Sequence, residues 1–144
     1  MKNRAFNILA MLAVAALLAT PLVFAQVEHL TANIPFDFIV GNQTLPAGTY
    51  QVACSPNGAP TVTLRGVDVK AVHIAITQAT RSGKVPAEGK LIFNRYGDSN
   101  FLAQVWRPGI HQGNLLPASK TEREMAARVA SGGTTEVAMR LKSK

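Results

Sequence analysis

The sequence predicts an all-β fold, an antiparallel β-sandwich or small barrel of about eight short strands, with one short helix near the C-terminus. Apolar and polar residues alternate over short segments, which is typical of strands with one buried face. Groups of glycine, proline and asparagine separate these segments at intervals of about 8–12 residues. Strands and helices do not alternate along the chain, so a parallel sheet with crossover helices is not expected.

The N-terminus predicts a secretory signal peptide over residues 1–25. Two basic residues precede an apolar run, and the Val-Phe-Ala sequence ending at Ala25 fits a signal-peptidase site. Cleavage there makes Gln26 the mature N-terminus and leaves residues 26–144 as a single β-sandwich domain. The alternative is an uncleaved membrane anchor, because the uncharged stretch 5–27 is long enough to span a bilayer.

The composition suits one globular domain. The chain has 144 residues, of which 47% are hydrophobic and 16% charged. Loss of Lys2 and Arg4 with the signal peptide lowers the formal charge from +7 to +5. The basic residues are scattered and predict a mildly basic, soluble surface. Export predicts a periplasmic or extracellular protein, with no stable membrane span after cleavage and no nucleic-acid partner.

Eight segments carry the expected strands: residues 27–34, 36–40, 49–54, 61–65, 69–77, 91–96, 101–106 and 134–141. Segment 69–77 is apolar on both faces, which predicts a central strand. The stretches 80–89 and 108–114 lack alternation and predict exposed loops. Cys54, the only cysteine, falls on the apolar face of its strand and predicts a buried thiol.

An aromatic hairpin over residues 91–106 organises the expected core. It holds four of the seven aromatic residues that follow the signal peptide, including Trp106. Two registers fit the sequence. In one, Trp106 lies opposite Leu91; in the other it shares a face with Ile92, Asn94 and Tyr96. We expect a buried Trp106 that closes the core; the alternative is a surface Trp that stacks on a sugar or binds a partner.

One short helix is expected over about residues 119–130. Either Ser119 with Glu122 or Thr121 with Glu124 has the spacing of a capping box. The glycine pair at 132–133 ends the helix.

Five motifs occur in this order along the chain: IPFDF at 34–38, LPAGTY at 45–50, FNRYG at 93–97, FLAQVW at 101–106 and Glu-Arg-Glu at 122–124. The ordered set resembles a family of small, secreted, uncharacterised proteins of soil bacteria, over nearly the whole mature chain. The resemblance implies export from a bacterial cell and a small β-rich fold. It implies no activity, cofactor or catalytic residue.

The sequence predicts no catalytic, cofactor or metal site. His29, His73 and His111 are far apart and lie in no metal-binding motif. No nucleophile elbow or phosphate-binding glycine loop occurs. Asp68 and Asp98 fall in turns, where aspartate usually bonds to its own backbone. A catalytic carboxylate pair is therefore weakly supported.

One group of residues is a candidate binding surface: Arg95, Tyr96, Trp106 and Arg107, at or near the hairpin strand ends. We therefore expect an exported bacterial β-domain that is a non-catalytic binding or assembly module of the cell envelope, with a protein or polysaccharide partner. One alternative is a small hydrolase of cell-wall or extracellular polymer, with its site under the loops 80–89 and 108–114. Another is electrostatic docking to anionic lipid or polysaccharide.

Overall fold

A computed structural model describes residues 29–55 and 60–141. The predicted signal peptide and its cleavage after Ala25 lie outside the described residues. The strands are β1 His29–Ile34, β2 Phe38–Val40, β3 Gln43–Leu45, β4 Gly48–Cys54, β5 Thr61–Gly66, β6 Val72–Ile76, β7 Gln78–Arg81, β8 Gly89–Tyr96, β9 Ser99–Trp106, β10 Gln112–Leu115 and β11 Gly133–Leu141; the helix is α1 Lys120–Arg128.

The described strands form one curled mixed sheet with the order β3-β2-β9-β8-β11-β1-β4-β5-β6. Strand β10 pairs with both β9 and β7, and only Thr77 separates β7 from β6. Neighbouring strands are antiparallel except for β2 and β9, which are parallel where Ile39 lies opposite Phe101. The predicted all-β fold with one C-terminal helix is confirmed, and the curled sheet is a half-barrel.

The core lies on one side of this curled sheet, and the expected alternation places its residues there. Leu30, Ala32 and Ile34 of β1 are buried, as are Val62 and Leu64 of β5. Rings fill the centre: Phe38 meets the rings of Tyr50 and Phe93 edge-on, with centroids 5.2 and 5.5 Å apart. Cys54 is buried, as its position on β4 predicted.

The strand expected to be central, over residues 69–77, is instead the last strand in the order of the sheet. Strand β6 covers Val72–Ile76 and pairs with β5 but with no second strand among those described. Its Val72, Ile74 and Ile76 side chains are 60%, 63% and 75% exposed. The sequence showed two apolar faces, but only one of them is covered.

Two segments predicted to be loops contain strands. Gln78–Arg81 and Gln112–Leu115 pair with each other as β7 and β10. Backbone hydrogen bonds also join the remaining parts of these loops: the Ser82 N–H donates to the His111 carbonyl, and the Gly109 N–H donates to the Pro86 carbonyl. Strand pairing uses backbone groups, so it needs no side-chain alternation, and these strands carried no sequence signal.

Neither predicted register of the β8–β9 hairpin is followed throughout: Trp106 does not lie opposite Leu91, although it shares a face with Ile92 as in the second register. Tyr96 lies opposite Ser99 across the two-residue turn, and Lys90 lies opposite Trp106. The pairing shifts between Ile92 and Phe93, which marks a β-bulge. Because of this shift, Leu102 lies opposite Phe93 and joins the core, whereas Trp106 lies on the other face of the sheet.

Candidate functional site

The structure separates the four predicted surface residues into two pairs. Arg95 and Tyr96 precede the hairpin turn, whereas Trp106 ends β9 and Arg107 follows it. Seven strand steps of about 3.3 Å separate the two ends, so the pairs are roughly 20 Å apart. They do not form one continuous surface.

Trp106 is a packed residue and is 6% exposed. Its Nε1 donates a hydrogen bond to the Gln104 Oε1 over 2.8 Å. Its ring lies against Gly113, where a Cβ atom would come within 2.6 Å of the ring carbon Cε3. Arg107 beside it is half-buried, and its buried Nε meets no hydrogen-bond partner among the described residues. This end of the hairpin offers no open aromatic face.

Tyr96 is half-buried and supports the turn end of the hairpin. Its ring meets Phe101 with centroids 6.0 Å apart. A Cβ atom on Gly132 would come within 2.9 Å of the Tyr96 Cε1, so the glycine allows the chain to pass close to this ring. Tyr96 therefore fixes the segment that leads from the helix into β11 beside the hairpin.

Arg95 is exposed, and its guanidinium makes no hydrogen bond or ion pair with any described residue. It lies between two adjoining depressions that share Arg95 and Gly97. We call the larger one, of about 560 Å³, the glycine depression, and the smaller one, of about 340 Å³, the phenylalanine depression. The other residues of the glycine depression are Val129, Ser131, Gly132, Gly133 and Thr134. The phenylalanine depression adds Phe36, Asp98, Asn100 and Thr135.

The turn between the two depressions is built by Gly97 and Asp98. Gly97 has a φ of +61°, which suits the first central position of a two-residue type II′ hairpin turn. Beside the turn, Asn100 is buried, and its Nδ2 donates to the Asp37 carbonyl over 3.5 Å. This contact links the hairpin to the segment that carries Phe36.

Helix α1 is anchored next to Arg95. The Ser119 hydroxyl accepts a hydrogen bond from the Glu122 N–H over 3.1 Å, which confirms the first of the two predicted capping pairs. The Glu122 side chain does not complete a reciprocal box. It is 5% exposed and accepts a hydrogen bond from the Asn94 Nδ2 over 2.9 Å. The helix is thereby joined to β8 at the residue before Arg95.

Most of the other candidate chemical groups contact backbone or amide atoms. Asp37 and Asp68 accept hydrogen bonds from the Ala47 and Thr49 N–H groups, each over 2.8 Å. His73 Nδ1 lies 2.8 Å from the Gln43 Oε1, and His111 Nδ1 lies 3.3 Å from the Ser82 carbonyl. No group of three or more His, Cys, Asp or Glu residues within 29–55 and 60–141 could hold a metal ion.

Sequence reasoning identified Arg95 but missed the residues that surround it. Gly133 lies opposite Arg95 because β11 pairs with β8. The sequence indicates only that the glycine pair at 132–133 ends the helix. The alternation over 134–141 predicted a strand without indicating its neighbour, and no other sequence signal indicates that contact.

Comparisons of the chain with protein-family models, curated proteins and solved structures found no match. None of the helical structure in the described part of the chain has the length and apolar character needed to span a bilayer.

Proposed function

We propose that this chain is an exported β-domain of a bacterial cell envelope, that it is a non-catalytic binding or assembly module, and that it binds its partner around Arg95. The apolar N-terminal run and the predicted cleavage after Ala25 support export. One observation carries the binding role: the uncommitted Arg95 guanidinium lies where two depressions adjoin, one mainly polar and one of mixed character. A charged donor without an internal partner is available to a ligand.

The contacts of the nearby acidic residues favour binding over hydrolysis at the two depressions beside Arg95. Glycoside hydrolysis generally uses two carboxyl groups on either side of the scissile bond. Asp98 is the only carboxylate among the residues that line the two depressions. Asp37, which is linked to the phenylalanine depression through Asn100, already accepts a hydrogen bond from the Ala47 N–H.

The proposal is tested with matched arginine variants. The mature protein is mixed with an isolated bacterial cell-envelope fraction, and the sedimented amount is compared for wild type, Arg95→Gln and Arg123→Gln. Both residues are exposed, so each variant removes one surface charge. We expect Arg95→Gln to reduce sedimentation at least tenfold and Arg123→Gln to leave it unchanged.

Two results would contradict the proposal. If both variants sediment equally less than the wild type, and if added salt abolishes sedimentation of the wild type, the protein docks by net charge alone. No sedimentation of the wild type would remove the envelope role. Export is tested separately by mass spectrometry of the secreted protein, which should begin at Gln26.

A further inference from the structure

We propose that the two depressions beside Arg95 form a site for a carboxylate-bearing saccharide, with the acidic group in the glycine depression and a neutral sugar ring in the phenylalanine depression. This inference rests on the proposed binding function and names the chemical class of its ligand.

The glycine depression is suited to an anion. Arg95 is the only charged residue among those that line it, and the polar side chains there are the hydroxyls of Ser131 and Thr134. The planar guanidinium can donate two parallel hydrogen bonds to one carboxylate. No lining carboxylate competes for Arg95 on this side, so a ligand carboxylate would be its first acidic partner.

The phenylalanine depression is suited to a neutral, hydroxyl-rich group. Asp98 lines it and disfavours a second anion, but its carboxylate can accept hydrogen bonds from hydroxyl groups. Phe36 is half-buried and adds an apolar wall, while Thr135 adds a hydroxyl. A sugar ring offers both apolar C–H groups and hydroxyl donors, so it matches this mixed lining.

One ligand can contact both depressions because they share Arg95 and Gly97. The glycine depression has a cationic residue and no acidic one, whereas the phenylalanine depression has an acidic residue and an aromatic ring. This difference favours an acidic saccharide over inorganic phosphate and over an acidic peptide. Inorganic phosphate would occupy only the glycine depression and would make no contact with Phe36, Asp98 or Thr135 in the phenylalanine depression. An acidic peptide would supply carboxylates but few hydroxyl donors for Asp98.

The walls of the site are already held in place. Tyr96 packs against Gly132 on one side, and the Asn100 amide bonds to the Asp37 carbonyl on the other. Pre-positioned walls reduce the ordering cost of binding, which matters for a small polar ligand.

The test compares cellobiouronic acid with cellobiose, which differ by one carboxylate, by NMR titration of the mature protein. We expect the acidic disaccharide to bind at least tenfold more tightly and to shift the amides of Gly97 and Thr134. Arg95→Gln should abolish this preference, and Arg123→Gln should preserve it. Asp98→Asn should weaken cellobiose, because an amide oxygen is a poorer acceptor for hydroxyl groups than a carboxylate. It should weaken the acidic disaccharide less, because the change also removes a charge that repels the ligand carboxylate. Added salt should weaken only the acidic one.

Failure of this inference can be distinguished from failure of the proposed function. Equal, Arg95-dependent binding of both disaccharides would overturn the acidic class and retain the binding site. Inorganic phosphate or an acidic peptide that competes as well as the disaccharide would overturn the saccharide class. If neither disaccharide shifts these amides while sedimentation with the envelope still depends on Arg95, the ligand is not a saccharide of this kind. If neither disaccharide shifts these amides and sedimentation with the envelope does not depend on Arg95, both proposals are overturned.

Discussion

The Asn94 amide donates a hydrogen bond to the buried Glu122 carboxylate over 2.9 Å, and this contact joins helix α1 to the β8–β9 hairpin. Glutamate is rarely buried unless it has a partner. Arg95 follows Asn94 directly, so the same contact helps to position the strand that carries the proposed binding residue.

Replacing Asn94 with Ala should therefore destabilise the domain. The variant leaves the Glu122 carboxylate buried without its donor, and we expect the free energy of unfolding to fall by about 2–3 kcal/mol. Urea unfolding measures the change. Glu124→Ala on the same helix is the control, because Glu124 is exposed and lies 3.9 Å from Lys120 in a surface ion pair. Equal effects of the two variants would show that the Asn94–Glu122 contact has no special role.

Gly113→Ala should disturb the packing of Trp106. The new Cβ atom would lie 2.6 Å from the indole ring, so the ring or the β10 backbone must move. We expect a loss of about 1–3 kcal/mol, together with a changed tryptophan fluorescence spectrum. Gly83→Ala is the matched control, because nothing lies within 4 Å of its Cβ position. The loss should shrink in a Trp106→Ala background; an undiminished loss would place its cause elsewhere.

Tyr50 should make the domain less stable at alkaline pH. Burial raises the pKa of its hydroxyl above the usual 10.0, and the Asp68 and Asp37 carboxylates raise the pKa further. When the pH is below that usual value, the hydroxyl is protonated in both the folded and the unfolded chain. The full contribution of Tyr50 to the free energy of unfolding is then present. At higher pH the unfolded chain ionises first, and the free energy of unfolding falls until the folded hydroxyl also ionises.

Tyr50→Phe isolates this effect. The variant loses the 2.7 Å hydrogen bond from the Tyr50 hydroxyl to the Pro46 carbonyl, which costs about 1 kcal/mol near neutral pH. Its stability should then decrease less than that of the wild type as the pH rises above about 10. Parallel decreases in the two proteins, measured by urea unfolding, would contradict the assignment to Tyr50.

The exposed face of β6 should tolerate polar substitution. Ile74 is 63% exposed, so Ile74→Thr removes little buried apolar area and should change the free energy of unfolding by less than about 0.5 kcal/mol. Val62→Thr on the adjacent strand is the comparison, because Val62 is fully buried and its replacement places a hydroxyl in the core. A large loss for Ile74→Thr in urea unfolding would show that this face is covered in solution.

The alternation of apolar residues was sufficient to predict β1, β4, β5 and the buried face of each. Leu30, Ala32 and Ile34 follow the period of two, and burial on one side of a sheet is what imposes that period. The same reasoning failed for β6, since two apolar faces indicate a preference for burial but do not show whether another part of the chain covers each face.

The candidate site could be predicted only in part, because it depends on which strands are neighbours. Arg95 and Tyr96 are close in sequence, but Gly132 and Phe36 reach them only through strand pairing and loop packing. The bulge between Ile92 and Phe93 was also unpredictable from the sequence. A one-residue shift in pairing moves side chains to the opposite face of the sheet without any change in composition.

The most direct measurement is an amide chemical-shift map of the labelled protein (residues 26–144) with solubilised cell-envelope saccharide. Binding at the hairpin turn predicts shifts at Gly97, Asp98, Thr134 and Thr135, with none at Gly113 beside Trp106, and their loss in Arg95→Gln. Shifts centred on Val72–Ile76, or a map that Arg95→Gln leaves unchanged, would contradict the proposal that the protein binds through Arg95.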